Sequence, residues 1–309
     1  MTNYKAEARK ITEKCYPIPG AFAAGGAVTS VFTNRDINDV DIYFKSREAF
    51  EYAVADAYEN GFWCVSTTKR AVTFAESGGT PIQFMHFDFF PTAQDIFDAF
   101  DFTVVMGALD FDSDQFAFHN DFLKHNSQRF LRFHSGTRYP LASATRVLKY
   151  QDRGYTIGKG DILKIVLAGR KAKIDTWEEL KDQIGGAYGE KVVLSTEGTP
   201  FSLDAAIAAL TVDDEGKESW VANDNEEQPG SAIGLFKKIA ELKGEQFDES
   251  RYDEGEDGYG YPIGYEPPKR QTCVSQTQIR WPERVRALTG CHANHDSPRN
   301  MVMPRRPAA

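Results

Sequence analysis

Apolar and polar positions along this chain switch between two periods, one near 3.6 and one of 2, and the switches divide it into elements. Residues 5–15 carry a helical pattern. Residues 21–44 hold a glycine turn, a short helix or loop and an acidic strand. Ser46 stands where it can cap a helix over 47–60, with Phe50, Val54 and Ala57 on one face. Phe62–Thr67, Ala71–Ala75 and Ile82–Phe87 read as strands; with the turn Ser77-Gly78-Gly79-Thr80 they predict a hairpin over 70–88. A short helix over 92–99 follows Pro91, and Phe102–Ala108 is predicted as another strand. From 140 to 173 the pattern is helical. Ala144, Val147 and Leu148 mark one apolar stripe, and Ile162, Ile165 and Val166 a second. Thr176 followed by Glu179 opens a helix over 176–184 in capping-box fashion. Further helices are predicted over 202–210 and 231–243.

Elsewhere the periods fail. Residues 212–229 are acidic and poor in apolar side chains, which predicts a loose loop. Residues 248–268 mix Gly, Tyr, Asp, Glu and Pro without period and read as disordered or as a partner-dependent arm. The Pro- and Arg-bearing tail 296–309 reads as mobile. The class expected is α+β: a small mixed β-sheet head over 1–140, a helical neck and body over 141–247, and an irregular acidic, Tyr- and Gly-rich arm with a basic tail over 248–309.

Composition narrows the setting. A chain of 309 residues can hold about two domains. It has no run of about twenty apolar residues and no signal-like start, so neither a membrane span nor export is expected. Cys15, Cys64, Cys273 and Cys291 are scattered, unlike a disulfide framework, and the expected location is cytoplasmic. The net charge of −9 disfavours nonspecific nucleic-acid binding by the whole surface. Arg and Lys nevertheless recur in 124–173 and 269–306, leaving a local basic groove open. The histidines are dispersed, with no Ser-His-Asp order. Cys273, Cys291, His292 and His295 match no common zinc spacing. The dense Phe residues over 84–102 read as core rather than as a base-stacking platform.

One pattern carries chemistry. Ala24-Gly25-Gly26-Ala27-Val28-Thr29-Ser30 is followed, with twelve residues between Gly26 and the first acid, by Asp39-Val40-Asp41-Ile42. On a strand, residues i and i+2 share a face, so Asp39 and Asp41 should stand together. Adjacent carboxylates repel unless a cation lies between them, and hard divalent cations favour such oxygen ligands. A glycine turn lets backbone approach a phosphate closely. Together these parts suit nucleotidyl transfer from a triphosphate; the plain alternative is an ordinary turn before an edge strand of solvated acids.

The pattern resembles the nucleotidyltransferase superfamily of the DNA polymerase β type. Two further segments sharpen the likeness. Asp101-Phe102-Thr103-Val104, running on to Leu109-Asp110, looks like the Arg-Arg-Asp-Phe-Thr motif of class II CCA-adding enzymes and bacterial poly(A) polymerases. Thr145-Arg146-Val147-Leu148-Lys149-Tyr150, with Gly154-Tyr155-Thr156-Ile157, looks like those enzymes' Arg-x-x-Arg-Phe helix and its Gly-Phe-x-Ile sequel. The resemblance covers roughly residues 20–160. It implies a nucleotidyltransferase head in which Asp39 and Asp41 bind Mg²⁺ or Mn²⁺, Gly25, Gly26 and Ser30 hold the triphosphate, and Asp101 is a third catalytic acid, with Asp88 as second choice. Arg146, Lys149 and Arg153 lie on one helical face and would clamp a triphosphate or nucleic-acid backbone; the alternative for them is a solvated basic face.

There are departures. Gln83 stands where the family carries its strand acid, and Ala99 and Phe100 replace its paired arginines. The Asp-x-x-Arg pair that reads a base in CCA-adding enzymes is missing near Tyr139-Pro140-Leu141-Ala142. The activity implied is transfer of NMP from an NTP to an acceptor hydroxyl, an RNA 3′ end first. The rivals are transfer to a protein or small molecule, or a nucleotide-binding scaffold without catalysis.

Overall fold

The structure is a computed structural model and describes residues 4–75, 79–185, 199–209, 228–253 and 260–269. All of these lie within one compact unit, residues 1–275. The expected loop over 212–229, apart from its last two residues, lies outside the described residues. So do the tail 296–309 and the residues Cys273, Cys291, His292 and His295. Among the described residues, no helix is long and apolar enough to cross a membrane.

The fold is α+β. Its elements run α1 (Tyr4–Thr12), β1 (Ala21–Ala24), α2 (Gly26–Phe32), β2 (Val40–Phe44), α3 (Arg47–Glu59), β3 (Trp63–Thr67), β4 (Ala71–Ala75), β5 (Ile82–Met85) and α4 (Ala93–Ala99). There follow β6 (Gly107–Asp110), β7 (Gln115–Phe118), α5 (Phe122–Gln128), β8 (Phe130–Leu131), α6 (Pro140–Asp152), β9 (Thr156–Ile157) and α7 (Lys159–Gly169). Last come α8 (Trp177–Gly185), α9 (Leu203–Ala209), α10 (Ala232–Lys243), β10 (Tyr252–Asp253) and β11 (Tyr261–Pro262). The main sheet has the order β3-β4-β5-β2-β1-β6-β7. Only β2 and β5 pair in parallel, which makes it mixed. Beta-strand alternation divides its core in two. Val40, Ile42 and Phe44 face a cluster shared with α1, α2, α3 and α10. Tyr43, and with it Asp41, faces the other cluster, closed by α4, α6 and α7.

Local chemistry sets the helix starts. The Ser46 hydroxyl accepts from Ala49 N–H at 3.2 Å, capping α3. Thr92 and Asp95 cap α4 reciprocally. Thr176 accepts from the Glu179 amide at 3.1 Å, while the Glu179 carboxylate reaches the Asp175 amide at 2.7 Å, one residue before the expected partner.

Four expectations need correction. Phe102–Ala108 is not a strand: Phe102 bridges to Phe133, Thr103–Val105 form a 3-10 turn, and the strand begins at Gly107. The Val104 carbonyl is taken by Thr29 and Asn126 side chains instead of a ladder partner. The stripe on α6 is also different. Ala144 and Leu148 are exposed, and Ala142, Ser143, Val147 and Tyr150 are buried, because Tyr150 packs edge-on to Phe102 and Tyr155. On α7, Ile165 is buried but Ile162 and Val166 are exposed. Finally, the described part of 248–268 is folded. Tyr252 stacks between Phe236 and Phe247, and its hydroxyl donates to Glu51 at 2.7 Å. Tyr261 donates to Glu59. The helix α10 contributes Leu235, Phe236 and Ile239 to the core of the sheet.

Candidate functional site

The site lies where the β1–α2 turn meets the start of β2 beneath α6. At Gly25 the backbone takes φ 78° and ψ −127°, a region open to glycine and closed to other residues. A Cβ there would stand 3.6 Å from the Phe100 ring and 3.8 Å from the Asp41 carboxylate. Gly26 differs: nothing lies within 4 Å of the place a Cβ would occupy. The turn is tied down from behind. Gly25 N–H donates to the Gly107 carbonyl at 3.1 Å. The Thr29 hydroxyl reaches the carbonyls of Gly25 at 3.0 Å and Val104 at 2.9 Å.

Asp41 is the central side chain, 6 % exposed, and its Oδ1 is buried without a hydrogen-bond partner among the described residues. Burial first, and then the neighbouring Asp39, push its carboxyl well above the usual range; Arg146 and Lys149 pull it back. Asp39, Arg146 and Lys149 thus each lie within electrostatic reach of Asp41. Asp39 sits half-buried just before β2, and Gln83 is Asp41's register partner on β5.

Asp101 approaches the same place from below. It is 3 % exposed, and its carboxylate accepts from Arg146 Nη1 at 2.9 Å. The Arg146 Nη2 lies 3.4 Å from the Tyr150 hydroxyl. The backbone under Asp101 is pinned, since its carbonyl accepts from His134 N–H at 2.7 Å. No group of three or more His, Cys, Asp or Glu side chains placed to hold a metal occurs among the described residues. The cation-binding capacity here is the pair Asp39 and Asp41. A buried carboxylate with an orphaned oxygen beside a second carboxylate fits a hard divalent cation.

The remaining expected residues lie further out. Arg153, two turns along α6, packs over the Tyr150 ring, and its carbonyl accepts from Arg35 Nη2 at 2.6 Å. Ser30 is half-buried on α2, with its carbonyl holding the Arg35 amide at 2.8 Å. Asp88 pairs with Arg138. Sequence reasoning did not single out Arg35, Thr29, His134 or Tyr150. Arg35 follows Asn34, which sits in the left-handed region at φ 55°, and it ties the loop leading to Asp39 onto the C-terminal end of α6. An Asn at a helix-to-strand turn was the one available signal for it. Thr29 and His134 act through backbone carbonyls, which spacing cannot reveal, whereas Tyr150 stands four residues after Arg146 on α6, a spacing the sequence does show.

Comparison with known proteins places the chain beside two groups. The profile of a family described as "Gabija anti-defense 2 family protein" matches residues 5–129. A curated relative, "Gabija anti-defense 2" of Bacillus phage SPbetaL7, is 45% identical over 190 residues, which cover 60% of this chain and 47% of the relative. The chain therefore spans about half the length of that relative. Among solved structures it is similar to a Thermotoga maritima CCA-adding enzyme complexed with tRNA, at 16% identity and a TM-score of 0.40 over 59% of this chain and 46% of that one. It is also similar to a tRNA nucleotidyltransferase complexed with a primer tRNA and an incoming ATP analog, at 15% identity and a TM-score of 0.39 over 54% of this chain and 50% of that one. A likeness of that extent is one of coarse chain trace, and the chemistry of the site rests on the side chains set out above.

Proposed function

We propose that this protein is a divalent-cation-dependent nucleotidyltransferase, which moves the nucleoside monophosphate of an NTP onto an acceptor hydroxyl and releases pyrophosphate. The observation that carries the reading is Asp41: a buried carboxylate with one unpartnered oxygen, next to Asp39 and in contact range of a glycine turn. Asp39 and Asp41 are the residues that would hold Mg²⁺ or Mn²⁺. Bound there, such a cation supplies neutralisation of phosphate charge and a lowered pKa for the acceptor hydroxyl. The chain's own residues do the rest. Gly25 allows backbone to approach the phosphates, and the open space over Gly26 leaves them room. Arg146 and Lys149, which act on Asp41 from α6, would supply positive charge to the phosphates. Phe100, edge-on to Tyr43, lines the apolar side of the glycine turn.

The family resemblance points first to an RNA 3′ end as acceptor. A second reading has its own support. The curated relative is called "Gabija anti-defense 2", the base-reading Asp-x-x-Arg pair is missing, and the net charge is −9. These favour an acceptor hydroxyl on a protein of that defence. Pyrophosphate release tests the common reaction. With Mg²⁺, NTPs and candidate acceptors of both kinds, wild-type protein should release pyrophosphate, and an Asp39→Ala, Asp41→Ala variant should not. Equal release by both, or none from either across all acceptors, sinks the catalytic reading.

A further inference from the structure

The geometry points to Asp101 as a positioning residue for Arg146 rather than a cation ligand, and to Arg146, so positioned, as the cation that meets the phosphates of the nucleotide. This inference rests on the nucleotidyl-transfer reading and specifies how the site meets its nucleotide. Three observations lead to it. Asp101 is committed: its carboxylate is buried, bonded to Arg146 Nη1, and joins no three-carboxylate group with Asp39 and Asp41. Its backbone is also fixed, by His134 at its carbonyl and by the Phe102–Phe133 bridge, so the carboxylate offers Arg146 a rigid anchor.

The second observation concerns what replaced the arginines. The chain carries Ala99 and Phe100 at those positions. Phe100 lies against Gly25 and Tyr43, so that side of the site presents a ring and no cation. Positive charge must then come from across the site, and α6 brings it. Third, Arg146 is oriented by Asp101 and by the Tyr150 hydroxyl, with its guanidinium 5.9 Å from the Tyr150 ring centroid. A guanidinium has five N–H donors in a fixed fork. A buried carboxylate bonded to Nη1 fixes the plane of the guanidinium, and Asp41 lies within its electrostatic reach. A phosphate is the acceptor that a fork so placed matches best.

The test separates cation binding from nucleotide binding and needs no turnover. Mn²⁺ affinity is measured by electron paramagnetic resonance. Nucleotide affinity is measured by calorimetry with the four α,β-methylene NTPs in the presence of Mg²⁺. Both use the full chain and its Asp101→Asn, Arg146→Lys, Arg146→Met and Asp101→Asn/Arg146→Met variants. The double variant removes the Asp101–Arg146 pair together, so that neither partner is left buried alone, and thermal melting checks the fold. Asp101→Asn should leave Mn²⁺ affinity within about twofold and weaken nucleotide about tenfold. Arg146→Met should weaken nucleotide by as much, and the double variant by no more, because the two residues act as one unit. Arg146→Lys should restore only part of the loss, since an ammonium lacks the fork. A tenfold loss of Mn²⁺ affinity in Asp101→Asn would make Asp101 a cation ligand and overturn the inference. So would unchanged nucleotide affinity in Arg146→Met. If wild-type protein binds neither Mn²⁺ nor nucleotide, the nucleotidyl-transfer reading itself falls and takes this inference with it.

Discussion

Gly25 and Gly26 are neighbours in sequence with opposite structural demands. Gly25 needs its conformation, since φ 78° with ψ −127° is costly for any side-chain-bearing residue. Gly26 opens α2 with empty space beside it. Gly25→Ala is therefore expected to cost about 1–3 kcal/mol of stability, while Gly26→Ala should leave the melting temperature unchanged or raised, because Ala favours a helix. If the space over Gly26 serves phosphates, the same Gly26→Ala protein should lose nucleotide affinity without losing fold; denaturant titration and nucleotide calorimetry on both variants would decide. A second residue reports on burial rather than function. His86 lies against Phe50, and burial, helped by Lys243, pushes its imidazole down to about 3. The unfolded chain takes up this proton near pH 6.5 and the folded one near 3, so the unfolded state binds more protons between those values. The stabilisation is complete above pH 6.5 and lost as pH falls through that window, by about 2 kcal/mol between pH 7.5 and 5. Asp56, raised to about 6 by burial and then Glu59, runs the other way. The difference between wild type and His86→Phe isolates the histidine. A difference that does not change with pH would contradict its burial as a neutral ring.

At the scale of elements, α3 gathers the segment that periodicity leaves unassigned. Glu51, buried on α3, accepts from Arg47, Arg251 and Tyr252 at 2.9, 3.2 and 2.7 Å. Tyr252→Ala should cost about 3–5 kcal/mol, far more than removal of a side chain from an irregular arm, and denaturant unfolding would measure it. A cost under about 0.5 kcal/mol, the size usual for a free surface, would contradict the packing. The comparison shows what was legible. Helices with a polar cap and a one-sided stripe, such as α3 behind Ser46 and α4 behind Thr92, were readable from local chemistry. So was the antiparallel pairing of β4 with β5. Tyr252 was not, because its partner Glu51 lies about two hundred residues away in sequence. Nor was the turn at Thr103–Val105. Residues 101–109 are all buried, so no alternation survives to tell strand from turn. In the site, the Gly25–Asp41 arrangement was visible as spacing. The Asp101–Arg146 bond was not, since it joins residues 45 apart whose motifs had been read for separate roles.

For the whole molecule, the two faces of one mixed sheet divide the work. One face packs α1, α2, α3 and α10 into the larger core. The other carries Asp41 beneath α6, where acidic and basic side chains meet. The surface as a whole is acidic, with a net charge of −9. A nucleic-acid acceptor would therefore have to be drawn to a local basic region, and binding to it should weaken steeply with salt. A protein acceptor would not show that salt slope. The most direct test of the central claim follows the α-phosphate itself. Each α-labelled NTP in turn is incubated with Mg²⁺, the protein, and a mixture of RNA and protein from bacterial cells, beside the Asp39→Ala, Asp41→Ala variant. Label entering an RNA or protein fraction with wild type alone is the predicted result, and the fraction names the acceptor class. Label that enters with the variant as readily as with wild type would contradict a site built on Asp39 and Asp41.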